Sequence, residues 1–564
     1  MESSATRLIH IFVCAALLFA PAGAAHSAII DNATPFNADP VIEKAFHSLT
    51  LKQKVGQLFI FGFMGTDLTR GLGDTLRRHQ PGGIIIFGRN IKTARQLANL
   101  NHSAQALALK TTHVPMFIAV DQEGGSVIRV KTQSPLPSAL ALGGTKRLDL
   151  AYSAGASTGQ LLRTLGFTMN LAPVVDVSDP TEDNFIGTRT FGKDPKLVAS
   201  MGSSFADGLK KFGIVPTAKH FPGHGGVAGD SHQMTPEKEV SLQELLELDL
   251  LPFAQIAREK TPWAVMLAHI SFPKLDPTGA PATFSKPIVT DILRKKLGYE
   301  GVVMTDDIEM GGATSIKSVG ERAVRAIEAG ADLVMLAWNK HAQAQAVDGV
   351  YKAVMSGRIS QARLDESVRR LLKAKRSWLG HPQLQNPTNA VLLSTLRSPE
   401  LKKVAEATIQ QRLDDAGREL DRDFALDAQE KTIYVFSASG SFFKSFKSAI
   451  PKAKLRFVHL NENTPDLTAL LRKNSQALGV FYLSGPRSAA FANQLQTDVT
   501  ERVIVVNTET DGLLENPDSF RQIVDVHFRH PDLGKLTAKH FFIPKPEIET
   551  SETAMRLPSA LEEQ

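Results

Sequence analysis

Eight short apolar, β-branched runs alternating with helical stretches predict an α/β protein: a closed (β/α)8 barrel of the TIM type, followed by a smaller α/β sandwich. The runs span residues 57–63, 82–87, 116–120, 168–175, 215–220, 264–269, 301–305 and 332–337. Between them, residues 93–109, 196–212, 242–258, 286–297 and 320–329 carry apolar residues at helical spacing. The placement of polar residues is the third observation. Asp121-Gln122-Glu123 follows the third run, Lys219-His220 ends the fifth, His269 ends the sixth and Asp306-Asp307 follows the seventh. A barrel assembles its active site at the carboxyl ends of its strands, so these residues are expected at one mouth. A doubly wound open sheet fits less well, because it gathers polar residues at a single switch point.

Taken in chain order, residues 1–24 read as a secretory signal peptide. Arg7 precedes an apolar run at 11–20, and the small-residue stretch Pro21-Ala22-Gly23-Ala24 places cleavage after Ala24. That run is too short to span a bilayer comfortably, and no later segment is longer and apolar, so the mature chain is expected to be exported, to the periplasm or beyond, and not to span a membrane. The barrel is assigned to residues 40–379. Residues 380–431, polar and helical with Pro382, Pro387 and Pro399, read as a connecting arm. Strands at 432–437, 454–460, 479–483, 503–507 and 523–526 define the sandwich within 432–543, and the Glu-, Ser- and Pro-rich tail 544–564 reads as disordered.

Composition removes several classes of function. Cys14, inside the signal run, is the only cysteine, so disulfides, thiolate zinc sites and cysteine nucleophiles are excluded from the mature chain. The net charge of +6 comes from 64 basic and 58 acidic residues spread along the chain, without the arginine-aromatic clustering of a nucleic-acid groove. No Gly-x-Ser-x-Gly elbow stands on a strand-to-helix turn in the barrel, which argues against serine catalysis.

The stretch Lys219-His220-Phe221-Pro222-Gly223-His224-Gly225-Gly226-Val227-Ala228-Gly229-Asp230-Ser231-His232 is the most informative in the chain. Its glycines allow turns while its polar side chains converge, the composition of a catalytic loop. Asp230, two residues before His232, is placed to hold an imidazole tautomer and stabilise its charged form, although an Asp-x-His on a loop is by itself often incidental. His220, His224, His232 and Asp230 also suggest a metal site, but Pro222 and Gly223 break the helix that would give a His-x-x-x-His spacing its meaning, and no metal or other cofactor is assigned. Asp306 leaves a buried strand at the barrel mouth, where a carboxylate suits attack on an anomeric carbon; the plainer role for Asp306 or Asp307 is to cap the next helix. Asp121 and Glu123 with Arg129 put two carboxylates and a guanidinium after a strand, either a helix start with a salt bridge or a clamp on the hydroxyls of a small polar ligand through charge-assisted hydrogen bonds; Arg189 fits the same clamp, although a lone loop arginine is usually a surface residue.

These motifs resemble glycoside hydrolase family 3, in its β-N-acetylglucosaminidase branch, over roughly residues 42–379. Leu51-Lys52-Gln53-Lys54-Val55-Gly56-Gln57-Leu58-Phe59 is similar to the family's opening helix and strand, Asp121-Gln122-Glu123-Gly124-Gly125 to its sugar-binding loop, and the histidine-rich stretch to the mark of the branch. The resemblance implies a retaining exo-glycosidase acting on a glycan with terminal N-acetylglucosamine. It implies Asp306 as nucleophile, His232 as acid/base with Asp230 as its partner, and Asp121, Arg129, Arg189, Lys219 and His220 as residues that hold the sugar. Ser126 and Ile128 stand where the family usually has arginine and glutamine, a departure that bears on leaving-group preference. A neutral imidazole does not repel an incoming anion, so phosphate is expected as an alternative acceptor to water. A β-glucosidase or β-xylosidase of the same family, and a non-catalytic peptidoglycan-binding protein, are the competing readings.

Overall fold

A computed structural model describes residues 39–181, 185–227, 229, 231, 233–259, 263–379, 386–416, 431–451, 453–510 and 512–543. The expected signal peptide and tail lie outside the described residues, as do 380–385 and 417–430 of the expected arm. Among the described residues, no helix is long and apolar enough to cross a membrane.

Eight parallel strands close into a barrel in chain order: β1 (Phe59–Phe61), β2 (Gly83–Ile86), β3 (Phe117–Val120), β4 (Met169–Asn170), β5 (Val215–Phe221), β6 (Ala264–Leu267), β7 (Val303–Asp307) and β8 (Leu333–Leu336). Each lies on one of the eight predicted runs, and most are shorter than the run. The fourth run shows why. After Asn170 the regular ladder stops, and Pro173 has no N–H to offer, so the segment is tied to β5 by scattered bonds from Thr217 to Ala172 and from Val175 to Lys219. Two strands run further than predicted. β5 ends at Phe221, and β7 includes Asp306 and Asp307, which therefore stand on a rigid strand end and not in the loop after it.

Helices surround the barrel, and their ends follow local chemistry. Thr50 and Gln53 form a capping box on Leu51–Gln57, Thr93 and Gln96 do the same for Ala94–Thr112, and Asp194 with Pro195 opens Pro195–Lys211. At the bottom of the barrel wall, Lys375 of Gln361–Leu379 is fully buried; its Nζ donates to Gln57 Oε1 at 2.7 Å and lies 5.2 Å from the Phe117 ring. Burial pushes this ammonium down to about 7. Between that value and the lysine's ordinary 10.5 the unfolded chain holds the proton and the folded chain does not, so stability rises with pH across this window. Replacing Lys375 by methionine is expected to raise the melting temperature by several degrees at pH 6 and progressively less toward pH 10. Thermal denaturation across that range checks it; a gain that grows with pH would contradict the assignment.

The second sheet is fully parallel, in the order β10-β9-β11-β12-β13, with β9 (Thr432–Ser437), β10 (Lys454–His459), β11 (Leu478–Leu483), β12 (Val503–Asn507) and β13 (Gln522–Asp525). The strand period of two sends alternate residues to opposite faces. Ile433 and Val435 pack with Phe442, Phe446 and Phe542 on one side, while Tyr434 and Phe436 pack with Leu467, Leu471 and Ala492 on the other.

The described part of the expected arm is more than a connector. Helix Pro399–Ala416 places Leu401 and Val404 in the barrel core and Ala405, Ile409 and Leu413 in the core of the sheet. Barrel residue Ala141 also belongs to that second core, and Ser138 Oγ donates to His527 O at 2.7 Å. Barrel and sheet thus fall within one compact unit from Val41 onward.

Candidate active site

A cavity of about 1310 Å³ opens at the carboxyl end of the barrel, and its wall includes Asp121, Arg129, Arg189, Lys219, His220 and Asp306. Six of the eight predicted site residues therefore meet in one place. The other two, Asp230 and His232, lie outside the described residues; Ser231 between them is on the cavity wall.

The loop after β3 is pinned before it presents any charge. Gln122 Oε1 accepts the N–H groups of Arg129 and Val130 at 2.9 and 3.0 Å, its amide donates to Val130 O at 2.9 Å, and Asn170 of β4 exchanges hydrogen bonds with the Gln122 backbone. Gly124 sits at φ +104°, where a Cβ would come within 2.1 Å of Pro137 O, so only glycine closes this turn. The result fixes Asp121 and Glu123 at the mouth of β3.

Lys219, on β5, spans both carboxylates, with Nζ 2.9 Å from Asp121 Oδ1 and 2.7 Å from Glu123 Oε1. Arg189 forks onto Glu123, Nε to Oε2 at 2.8 Å and Nη2 to Oε1 at 2.9 Å. Burial pushes the Glu123 carboxyl up, but Arg189 and Lys219 outweigh it and hold the group well below the ordinary glutamate range. Burial likewise opposes charge on Lys219, and Asp121 and Glu123 overcome it, so the lysine stays protonated. Arg129 stands looser, 4.0 Å from Asp121 Oδ2 and one-third exposed. Arg189 is thus paired with Glu123, a carboxylate of the expected clamp loop that the expected set of site residues leaves out. Its position two residues after Asp121 is the signal in the sequence that points to it.

Asp176 is a second site residue absent from the expected set. Fully buried just past the fourth predicted run, it accepts from His220 Nδ1 at 2.7 Å and from the backbone N–H groups of His220 and His224 at 3.0 and 2.7 Å. Burial pushes its carboxyl up, and His220, with further help from His224, brings it down to about 2. An ionised carboxylate cannot donate, so His220 Nδ1 carries a proton and Nε2 is the nitrogen left for other partners. His224 approaches Ser231 Oγ through Nε2 at 3.1 Å, and burial lowers its imidazole to about 4, which keeps it neutral.

Asp306 and Asp307 are neighbours with opposite fates. Burial pushes the Asp306 carboxyl up, yet His269, His220, the Asp307 amide at 2.8 Å and Lys219 together hold it below the ordinary aspartate range. Asp307 is raised to about 7, by burial and by the charges of Glu309 and Asp306. Its Oδ1 accepts the N–H groups of Glu309 at 3.0 Å and Ala337 at 3.3 Å, a local backbone role of the plainer kind expected for one of the pair. Two adjacent carboxyls, both on the cavity wall, are driven apart in this way, Asp306 held ionised and Asp307 raised while it binds backbone N–H groups.

A parallel eight-stranded barrel with an ionised carboxylate at the end of β7 and a charged network across the mouth is the arrangement of a barrel enzyme, with its reactive groups at the carboxyl ends of the strands. The model of the glycosyl hydrolase family 3 N-terminal domain matches residues 50–374, and the chain belongs to that family of glycoside hydrolases. The chain is 30% identical over 361 residues to beta-hexosaminidase A of Pseudoalteromonas piscicida, a match covering 60% of each protein. It is 35% identical over 295 residues to a beta-hexosaminidase of Methylococcus capsulatus, covering 52% of this chain and 86% of the relative. Among solved structures, a family 3 beta-N-acetylglucosaminidase from Paenibacillus sp. str. FPU-7 superposes with a TM-score of 0.75 at 31% identity, over 88% of this chain and 97% of that one.

Proposed function

We propose that this protein is a retaining exo-β-N-acetylglucosaminidase that removes non-reducing terminal N-acetylglucosamine from glycans outside the cytoplasm, peptidoglycan fragments or chitin-type oligosaccharides. The observation that carries the reading is Asp306, ionised on the cavity wall and facing the same space as the Asp121–Lys219–Glu123–Arg189 network. The network's remaining oxygens and N–H groups suit sugar hydroxyls. Asp306 attacks the anomeric carbon as the bond to the leaving oxygen breaks, and His232 gives that oxygen its proton, with Asp230 stabilising the charged ring. Water, deprotonated by the same histidine, then cleaves the glycosyl–Asp306 ester and restores both groups. Phosphate entering in place of water would release the sugar 1-phosphate.

The test is a panel of 4-nitrophenyl glycosides. The N-acetyl-β-D-glucosaminide is expected to be turned over and the β-glucoside and β-xyloside left intact. Preference for either of the latter would reassign the sugar, and a folded protein inert on all three would point to a glycan-binding role.

A further inference from the structure

The cavity is larger than one terminal sugar needs: pockets for small ligands measure roughly 300–1,000 Å³, and this one about 1310 Å³. The grip on the terminal sugar comes from β3, β4 and β5. On the far arc of the barrel, beyond Asp306 on β7, the wall is built by Trp338 after β8 and by Phe87 and Arg89 after β2.

Trp338 is 59% exposed, an indole left open to solvent on the cavity wall. It is nevertheless held firmly. Its ring stacks on Phe87 with centroids 5.8 Å apart, and the Arg89 guanidinium lies 4.0 Å from the Trp338 ring and 4.3 Å from that of Phe87. Arg89 is a brace: Nε donates to Phe63 O at 3.1 Å and Nη2 to Ala337 O at 2.6 Å, which fixes the guanidinium against both rings. The Trp338 backbone is tied to the turn after β7, since its N–H donates to Glu309 Oε2 at 2.9 Å, two residues beyond the strand end. A braced, exposed aromatic face on the wall of the cavity that also holds Asp306 costs little order on binding and offers the apolar C–H face of a pyranose a surface to cover.

Resting on the proposed glycosidase reading, we infer that Trp338, braced by Arg89 and Phe87, is the platform for the second pyranose of the substrate, so that the enzyme selects oligosaccharides over single-sugar glycosides with small leaving groups. Ile128, on the wall of the same cavity, adds a further apolar surface.

The experiment compares N,N′-diacetylchitobiose with N-acetyl-β-D-glucosaminyl fluoride, whose leaving group has no ring to stack. For Trp338→Ala, the ratio of kcat/KM for the disaccharide to that for the fluoride is expected to fall about tenfold, mainly through KM, and Trp338→Phe is expected to restore most of it. Equal loss on both substrates, or no loss on either, would overturn the platform while leaving the reaction standing. A wild type inert on both would overturn the reaction assignment, and the platform with it.

Discussion

Replacing Asp306 by alanine is expected to lower turnover of 4-nitrophenyl N-acetyl-β-D-glucosaminide by about 10⁴-fold or more while the protein stays folded. The side chain stands at a strand end, and the hydrogen bond it accepts from the Asp307 amide is local, so its loss touches chemistry before stability. Added azide should restore part of the turnover by entering the space the carboxylate vacated, and the product should be the α-glycosyl azide, inverted relative to the substrate. Loss of activity without azide rescue and with a collapsed melting curve would make Asp306 a structural residue. Near wild-type turnover would remove it from the mechanism.

The second large effect is expected at Glu123. Replacing it by alanine removes the carboxylate that pairs with Arg189 and leaves Lys219 with Asp121 alone, and these two cations are 13% and 3% exposed at the side chain. Breaking a buried pair from one side costs about 3–5 kcal/mol, and here one side chain serves two cations. Equilibrium denaturation should show that loss, and KM should rise because Asp121 and Lys219 lose their fixed spacing. Glu123→Gln separates shape from charge: it keeps the volume and the acceptor oxygen and should recover part of the stability. The sign with pH comes from the lowered carboxyl. The stabilisation by Glu123 is complete above the ordinary glutamate value of 4.5 and is lost progressively as the pH falls from there to its much lower folded value, in strong acid. A Glu123→Ala variant as stable as wild type would show that the network contributes no net energy.

The barrel is legible in the sequence because each strand is a short apolar run between helical stretches, and because a parallel barrel leaves polar residues at one end of many runs. That same rule, applied to Val174-Val175-Asp176, points to Asp176, whereas Trp338, an apolar residue directly after Leu336-Ala337, escapes it. Glu123 is visible in its motif but its pairing is not, since its partner Arg189 is 66 residues away and nothing in the local sequence announces that contact. The strand order of the second sheet is hidden for a different reason: all five strands are parallel, and the apolar pattern that marks each one says nothing about which neighbour it joins. Asp306 and Asp307 stand on the strand and not after it, because the apolar run ends before the hydrogen-bonded ladder does.

Helix Pro399–Ala416 carries an apolar face toward each of two cores. A chain ending after the barrel would expose Ala141 and the apolar residues around it, and a sheet made alone would lose Ile409 and Leu413 from its centre. The two halves are therefore halves of one folding problem. The loop that carries Asp121 and Glu123 rests on Pro137 and Ser138, and Ser138 is held in turn by His527, so the cavity wall takes part of its rigidity from a sheet that supplies none of the wall's named residues.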